Sequence, residues 1–278
     1  MKCMCPITMR NPKINKGPRD SLFITVPCGK CPACLSTRIT DWTNRLKDEM
    51  RNNFYGCGYF VTLTYAKRPL EGVNKKHVQD FLKRLRHCID SFKYYLIAEY
   101  GPNTKRPHYH AILLCNDTPD KVIYSIGNEW KHGFTEVSPV SEERLKYVTS
   151  YHATKNYLEK GFEYPDMDTG ELISQNIVFS LMSKGLGKSQ IKHEKEVKGI
   201  THNYILRNGV RYHLPKYYKD KLYNETQKKD MREYMQNISL ISDSNVEDCI
   251  NQYKRYEHFC EFFNKYVVMK KAHKERRC

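Results

Sequence analysis

At 278 residues the chain can bury a core and form one or two domains. No apolar run reaches membrane-spanning length and no signal-peptide core opens the chain, so a soluble, intracellular protein with no membrane partner is expected, with the cytoplasm of a bacterial host as its place. Lys and Arg outnumber Asp and Glu 47 to 31, a formal charge of +16, which calls for a polyanionic partner, most simply nucleic acid.

The 11 cysteines are odd in number and come without a secretory signal, which argues against a disulfide framework. Five of them, Cys3, Cys5, Cys28, Cys31 and Cys34, crowd a proline-rich, loop-like segment over residues 1–35. The run Cys28-x-x-Cys31-x-x-Cys34 is a knuckle whose thiolates can close on one tetrahedral Zn²⁺, with Cys3 or Cys5 as fourth ligand. The same spacing also fits an iron–sulfur cluster, although no further cluster signature is present.

A helix is expected over residues 36–54, with Ile39, Trp42, Leu46 and Met50 near one face, and a strand over 58–65. Residues 75–90 form an amphipathic helix with Val78, Phe81, Leu82, Leu85 and Ile89 as its apolar stripe. Strands over 94–99 and 108–114 follow, joined through a Gly101-Pro102-Asn103 turn. A helix over 119–130 (Val122, Ile123, Ile126 and Trp130 inward), a strand over 133–137 and a helix over 141–160 with acidic residues in its first turn complete the series. From residue 58 the order is β-α-β-β-α-β, then a helix. That is the ferredoxin-like, split βαβ arrangement of an α+β protein, an antiparallel sheet with helices on one face and the other face free.

Residues 161–175 read as a polar connector and 176–181 as a strand. Ser183-Lys184-Gly185-Leu186-Gly187-Lys188 is a Gly/Lys loop suited to phosphates but is not a P-loop. Asn208-Gly209 marks a hairpin turn between strands over 204–207 and 210–214. Lys216 and Tyr217 follow, so Lys184, Lys188, Lys216 and Tyr217 are the candidate DNA-contacting residues. Charged helices over about 219–268, anchored by Phe259, Phe262 and Phe263, and a basic tail end the chain. The segments are thus 1–55 (cysteine-rich segment and helix), 56–165 (core), 166–225 (accessory strands and hairpin) and 226–278 (charged helical tail).

Two constellations carry chemistry. His108 and His110 alternate along one strand, so both imidazoles point to the same side. The hairpin brings Glu99 beside them, a mixed N/O set suited to Mg²⁺, Mn²⁺ or Zn²⁺. A His-x-His pair by itself is usually an ordinary pair of half-buried histidines. Tyr147, Tyr151 and Lys155 stand at i, i+4, i+8 on the helix over 141–160, along one face. Such a stripe is more often core than catalysis, but beside a metal site it suits phosphodiester transesterification. A tyrosine oxygen would attack phosphorus, forming a phosphotyrosine and freeing a 3′-hydroxyl, with Lys155 lowering the phenol pKa or stabilising the phosphate.

In these residues the chain resembles the replication initiators of the microviruses, the gokushovirus branch most closely, within the HUH endonuclease superfamily. The resemblance covers roughly residues 1–225. It rests on Cys3-x-x-Pro6, Val26 to Leu35, Phe60-Val61-Thr62-Leu63-Thr64-Tyr65, Glu99-Tyr100-Gly101, Arg106-Pro107-His108-Tyr109-His110, the Tyr147/Tyr151/Lys155 helix, Ser183 to Gly187 and Leu214 to Tyr218. It implies rolling-circle replication: a site-specific single-stranded-DNA endonuclease and strand transferase acting at a phage origin. His108 and His110 would be its metal pair and Glu99 its third ligand, with Mg²⁺ or Mn²⁺; Tyr147 and Tyr151 would be its nucleophiles and Lys155 its lysine. One departure is that Lys155 stands four residues after Tyr151, and the place at three is Thr154. Single-stranded and origin DNA are the expected partners, and a host helicase is a further candidate. The competing expectation is a non-catalytic, zinc-containing nucleic-acid-binding protein; a single-tyrosine transposase or relaxase is disfavoured by the paired tyrosines.

Overall fold

The computed structural model describes residues 3–12, 22–54, 57–101, 103–154, 162–191, 204–207, 210–228 and 230. The chain divides into two compact units, Met1–Lys198 with Tyr204–Tyr218, and Gly199–Asn203 with Lys219–Cys278. The expected anchors Phe259, Phe262 and Phe263, the basic tail, the Asn208-Gly209 turn and Lys155 lie outside the described residues.

Alternating apolar residues and a well-capped helix set the centre of the first unit. Strand β3 (Tyr59–Tyr65) is followed by helix α2 (Lys75–Cys88), strands β4 (Phe92–Tyr100) and β5 (Pro107–Cys115), helix α3 (Pro119–Glu129) and strand β6 (Gly133–Pro139). This is the expected β-α-β-β-α-β order. Asn74 caps α2 by accepting from the backbone N–H groups of Lys76 and His77, which satisfies two otherwise orphan donors. Pro119 opens α3, where its missing N–H costs nothing. Strand β9 (Ser180–Met182) joins at the edge, giving a five-stranded sheet in the order β6-β3-β5-β4-β9, antiparallel at every pairing. Only 180–182 of the strand expected over 176–181 pairs. Upstream of it, Asn176 bonds instead to Glu71 and Val73.

Both sheet faces are covered, contrary to the expectation of one free face. On one side Val61, Leu63, Tyr65, Leu96, Tyr109 and Leu113 pack with Val78, Phe81, Leu82 and Leu85 of α2 and with Val122, Ile126 and Trp130. Ile123, expected inward, is exposed. On the other side lie helix α1 (Pro32–Asn53) and helix α4 (Glu142–Thr154). There Leu46, Leu145 and Val148 meet Tyr95, Ile97, Ile112 and Leu114. Each fully buried aliphatic side chain in these layers contributes roughly 1.5–3 kcal/mol. A buried hydrogen bond between Thr43 and Thr149, 2.9 Å, ties α1 to α4. The physical reason for the second layer is in the strands: residues 95–100 and 111–115 are buried continuously rather than alternately, as in a sheet packed on both faces.

Three further differences concern short elements. Residues 1–35, expected to be loops, contain the two-stranded ribbon β1 (Ile7–Arg10) and β2 (Phe23–Val26). Helix α1 starts at Pro32 rather than 36, so Cys34 lies in its first turn. The connector over 161–175 carries a small hairpin, β7 (Glu163–Pro165) with β8 (Leu172–Ser174). The hairpin β10 (Tyr204–Arg207) with β11 (Val210–His213) pairs Arg207 with Val210, the register of a two-residue turn. Helix α5 (Lys216–Leu222) follows it.

Candidate metal centre and its tyrosine helix

The β4–β5 hairpin builds the first constellation. Its register sets Glu99 directly opposite His108, and Ile97 opposite His110. Glu99 and His108 are therefore nearest cross-strand neighbours on one face, with His110 on the diagonal. The ligand atoms of Glu99, His108 and His110 lie within 4.8 Å of one another. His108 Nε2 is 2.5 Å and His110 Nε2 3.4 Å from Glu99 Oε1. Tyr109, between the two histidines, points to the opposite face. There its hydroxyl bonds to Tyr65 at 2.7 Å and to the backbone N–H of Asn74 at 2.7 Å, fixing β5 against the start of α2.

Each histidine is oriented through its other nitrogen. His108 Nδ1 is 3.1 Å from the Arg106 carbonyl, and His110 Nδ1 is 3.2 Å from Thr62 Oγ1. The Phe60 ring stacks on His110 at a centroid distance of 5.2 Å. Glu99 is 2% exposed. Burial alone would raise its carboxyl, but the hydrogen bonds to His108 and His110 outweigh burial and hold it down at about 2. A buried, ionised carboxylate with two imidazoles turned toward it is a donor set that suits a divalent cation.

Helix α4 supplies the second constellation. Leu145 and Val148 anchor it in the core, which turns Tyr147 onto the site. The Tyr147 hydroxyl donates to Glu99, 3.2 Å from Oε1 and 3.4 Å from Oε2. Tyr151 lies one turn on, its ring centroid 4.6 Å from that of Tyr147. Burial, then the Glu99 charge and the Tyr151 hydroxyl, push the Tyr147 phenol above the ordinary tyrosine range, so as it stands it keeps its proton. The two phenols expected near the histidine pair thus sit against it, and Glu99 is the bridge.

The cysteine cluster forms a separate centre. Cys3, Cys28, Cys31 and Cys34 bring their sulfurs within 4.8 Å of one another. Cys5 is exposed and stands outside the cluster. The backbone N–H of Cys28 donates to Cys3 Sγ at 3.2 Å, and that of Cys31 to Cys28 Sγ at 3.3 Å. Burial opposes ionisation of Cys31, yet the backbone at Met4 and Cys34, with the thiols of Cys34 and Cys28, lowers it to about 6. Burial pushes Cys34 up to about 12. Four convergent sulfurs on a segment with little apolar core fit a structural metal.

The candidate DNA-contacting residues also come together, since the hydroxyl of Tyr217 lies beside Gly185. Lys184, Lys188 and Lys216 are exposed. Tyr217 is half-buried, and one face of its ring is taken by the Arg45 guanidinium, 4.0 Å from the centroid, which also lies 4.1 Å over Trp42. Arg45 donates to the Leu186 carbonyl at 3.0 and 2.9 Å. Glu49 accepts from the Gly187 N–H at 2.6 Å, and Asp48 from the Tyr218 hydroxyl at 2.9 Å. A side chain on Gly187 would run into that same hydroxyl. Sequence reasoning missed Arg45, Asp48 and Glu49; the available signal was three charged residues on the buried side of an amphipathic helix. It also gave Thr62 no role, although Thr62 and Thr64 are polar in an otherwise apolar strand.

Residues 58–156, from the start of β3 past Tyr151, match the family model for the replication-associated protein ORF2. Two curated relatives agree. "Replication-associated protein VP4" of Bdellovibrio phage phiMH2K is 25% identical over 263 residues, 86% of this chain and 79% of that protein. "Replication-associated protein ORF4" of Chlamydia phage 1 is 25% identical over 235 residues, 71% of this chain and 53% of that protein. This chain resembles the microvirus replication-associated proteins. Among solved structures, the hypothetical protein ORF119 from Sulfolobus islandicus rod-shaped virus 1 aligns at 19% identity over 40% of this chain and 90% of that one. Its TM-score of 0.30 is too low to carry an argument. Among the described residues, no helix is long and apolar enough to cross a membrane.

Proposed function

We propose that this chain initiates rolling-circle replication as an HUH-type endonuclease, nicking single-stranded DNA at a phage origin and later rejoining the strand. One observation carries the reading. A tyrosine hydroxyl from α4 lies within hydrogen-bond distance of Glu99, which itself lies against His108 and His110. The likeness to phage replication-associated proteins and the +16 charge favour DNA as the substrate.

Glu99, His108 and His110 would hold Mg²⁺ or Mn²⁺. Such an ion supplies Lewis-acid polarisation of the scissile phosphate. The chain does the rest. Tyr147 is placed to attack phosphorus: its oxygen forms the new P–O bond, the 3′-oxygen leaves with a proton, and the 5′-phosphate stays on the tyrosine. Its phenol must first lose a proton that burial and Glu99 now hold in place. Tyr151, on the same face, is available for a second cleavage while the first link persists. Lys155, outside the described residues, is proposed to stabilise the phosphate charge. Cys3, Cys28, Cys31 and Cys34 would bind a structural Zn²⁺. The exposed Lys184, Lys188 and Lys216, with Tyr217, would guide the strand.

The test uses single-stranded oligonucleotides tiled across the replicon that encodes the chain, with Mn²⁺ or Mg²⁺. A covalent adduct at a DNA 5′ end is expected, retained in part by Tyr151→Phe and absent from the Tyr147→Phe/Tyr151→Phe double variant. Metal-independent binding with a steep salt slope and no adduct would instead identify a non-catalytic binding protein.

A further inference from the structure

The two histidines of the centre are held in different ways. His108 leans on a backbone group, the Arg106 carbonyl, 3.1 Å from its Nδ1. No side-chain substitution removes that acceptor. His110 leans on a side chain, the hydroxyl of Thr62, 3.2 Å from its Nδ1. Thr62 stands opposite His110 in the β3–β5 register, and Thr64 stands opposite His108 in the same way. The two threonines therefore occupy equivalent places on one strand and one face, yet only Thr62 engages its partner's ring among the hydrogen bonds of the described residues.

An imidazole that ligates through Nε2 must carry its proton on Nδ1, and that proton needs an acceptor. Thr62 Oγ1 is placed to accept it, leaving the Nε2 lone pair directed at the position beside Glu99. The other surroundings of His110 are ring contacts that restrict tilt without choosing a tautomer: Phe60 stacked at 5.2 Å and the edge-on rings of His108 at 5.0 Å and Tyr147 at 5.4 Å.

We propose that Thr62 is a positioning residue of the metal centre, whose hydroxyl sets the tautomer and ring orientation with which His110 meets the cation. This rests on the reading of Glu99, His108 and His110 as a cation site. Loss of such an outer partner typically weakens metal affinity by about 10- to 100-fold.

The experiment measures Mn²⁺ binding by calorimetry to the full chain and to three variants. Thr62→Val keeps the shape and strand propensity but loses the hydroxyl; Thr62→Ser restores the hydroxyl; Thr64→Val makes the matching change opposite His108. The expected pattern is a loss of about 10-fold or more for Thr62→Val, with Thr62→Ser and Thr64→Val within about twofold of the unaltered protein. Equal affinity for Thr62→Val, or equal losses for both valine variants, overturns the assignment while the cation site stands. An unaltered protein that binds no Mn²⁺ removes the cation site and the assignment together. Should Thr62→Val fail to fold, ¹⁵N shifts of the His110 ring in the unaltered protein with Mg²⁺ decide instead. A protonated Nδ1 supports the role, and a protonated Nε2 overturns it.

Discussion

Replacing Glu49 by Gln should destabilise the protein far more than its place on a helix would imply. The side chain is fully buried and meets three donors. Oε1 accepts from Lys93 Nζ at 2.6 Å and from the Asn53 amide, while Oε2 accepts from the Gly187 N–H at 2.6 Å. A glutamine has the same shape but only one acceptor oxygen. Whichever way the amide turns, its NH₂ faces a donor. If the oxygen serves Lys93, the buried Gly187 N–H is left unpaired, at a cost of roughly 1–3 kcal/mol. The Lys93 side chain is 32% exposed, so water recovers part of its lost pairing and this term adds at most about 1 kcal/mol. The sum is about 3 kcal/mol, which for a unit of this size corresponds to roughly 6–12 °C in melting temperature.

Urea unfolding followed by circular dichroism, with a thermal melt alongside, measures this directly. Because Gly187 lies between Leu186 and Lys188 in the loop held against α1, the same variant should bind single-stranded DNA more weakly at fixed salt. A Glu49→Gln protein that melts within about 1 °C of the unaltered chain would show that the carboxylate is not what fixes the loop. Destabilisation without any change in DNA binding would separate the loop's anchoring from its proposed contact with the strand.

Other outcomes follow from the two centres. The chain should bind one equivalent of Zn²⁺ at its cysteines; Cys3→Ser and Cys34→Ser should release it on mild chelation, and Cys5→Ser should not, as read by a zinc-sensitive dye. Glu99 should make stability depend on pH in acid. Its folded carboxyl lies at about 2 against an ordinary 4.5, so its contribution is fully present above pH 4.5 and is lost as pH falls toward 2. The span is on the order of 3 kcal/mol, and the difference in unfolding free energy between the unaltered chain and Glu99→Gln should shrink by that order across the same interval. A difference that stays constant with pH would contradict it.

How much of this could be read from the residues alone depends on the range of the interaction. Glu99 and His108 are nine positions apart on one hairpin, and strand parity with a single turn suffices to join them. The ribbon β1–β2 and the hairpin β7–β8 escaped notice because they are short, largely exposed and without the alternation that marks a half-buried strand. The second helical layer escaped for a different reason, since its signal was present. Tyr95 to Tyr100 and Ala111 to Cys115 are buried without a break, and a sheet with a free face would have alternated.

That unbroken burial also explains why the tyrosine stripe on α4 need not be either core or chemistry. Leu145 and Val148 must be buried for α4 to cover the sheet, and Tyr147 lies between them in sequence. On a 3.6-residue helix it therefore borders the buried stripe and emerges at its edge, where the layer stops and the Glu99 carboxylate begins. Its ring packs beside the second core cluster while its hydroxyl meets Glu99. The same packing that stabilises the fold thus delivers a phenol to the candidate cation site. A substitution at Val148 that shifted α4 along the sheet would be felt at Tyr147 before it was felt at either histidine, because the histidines are held by β3 and by their own strand.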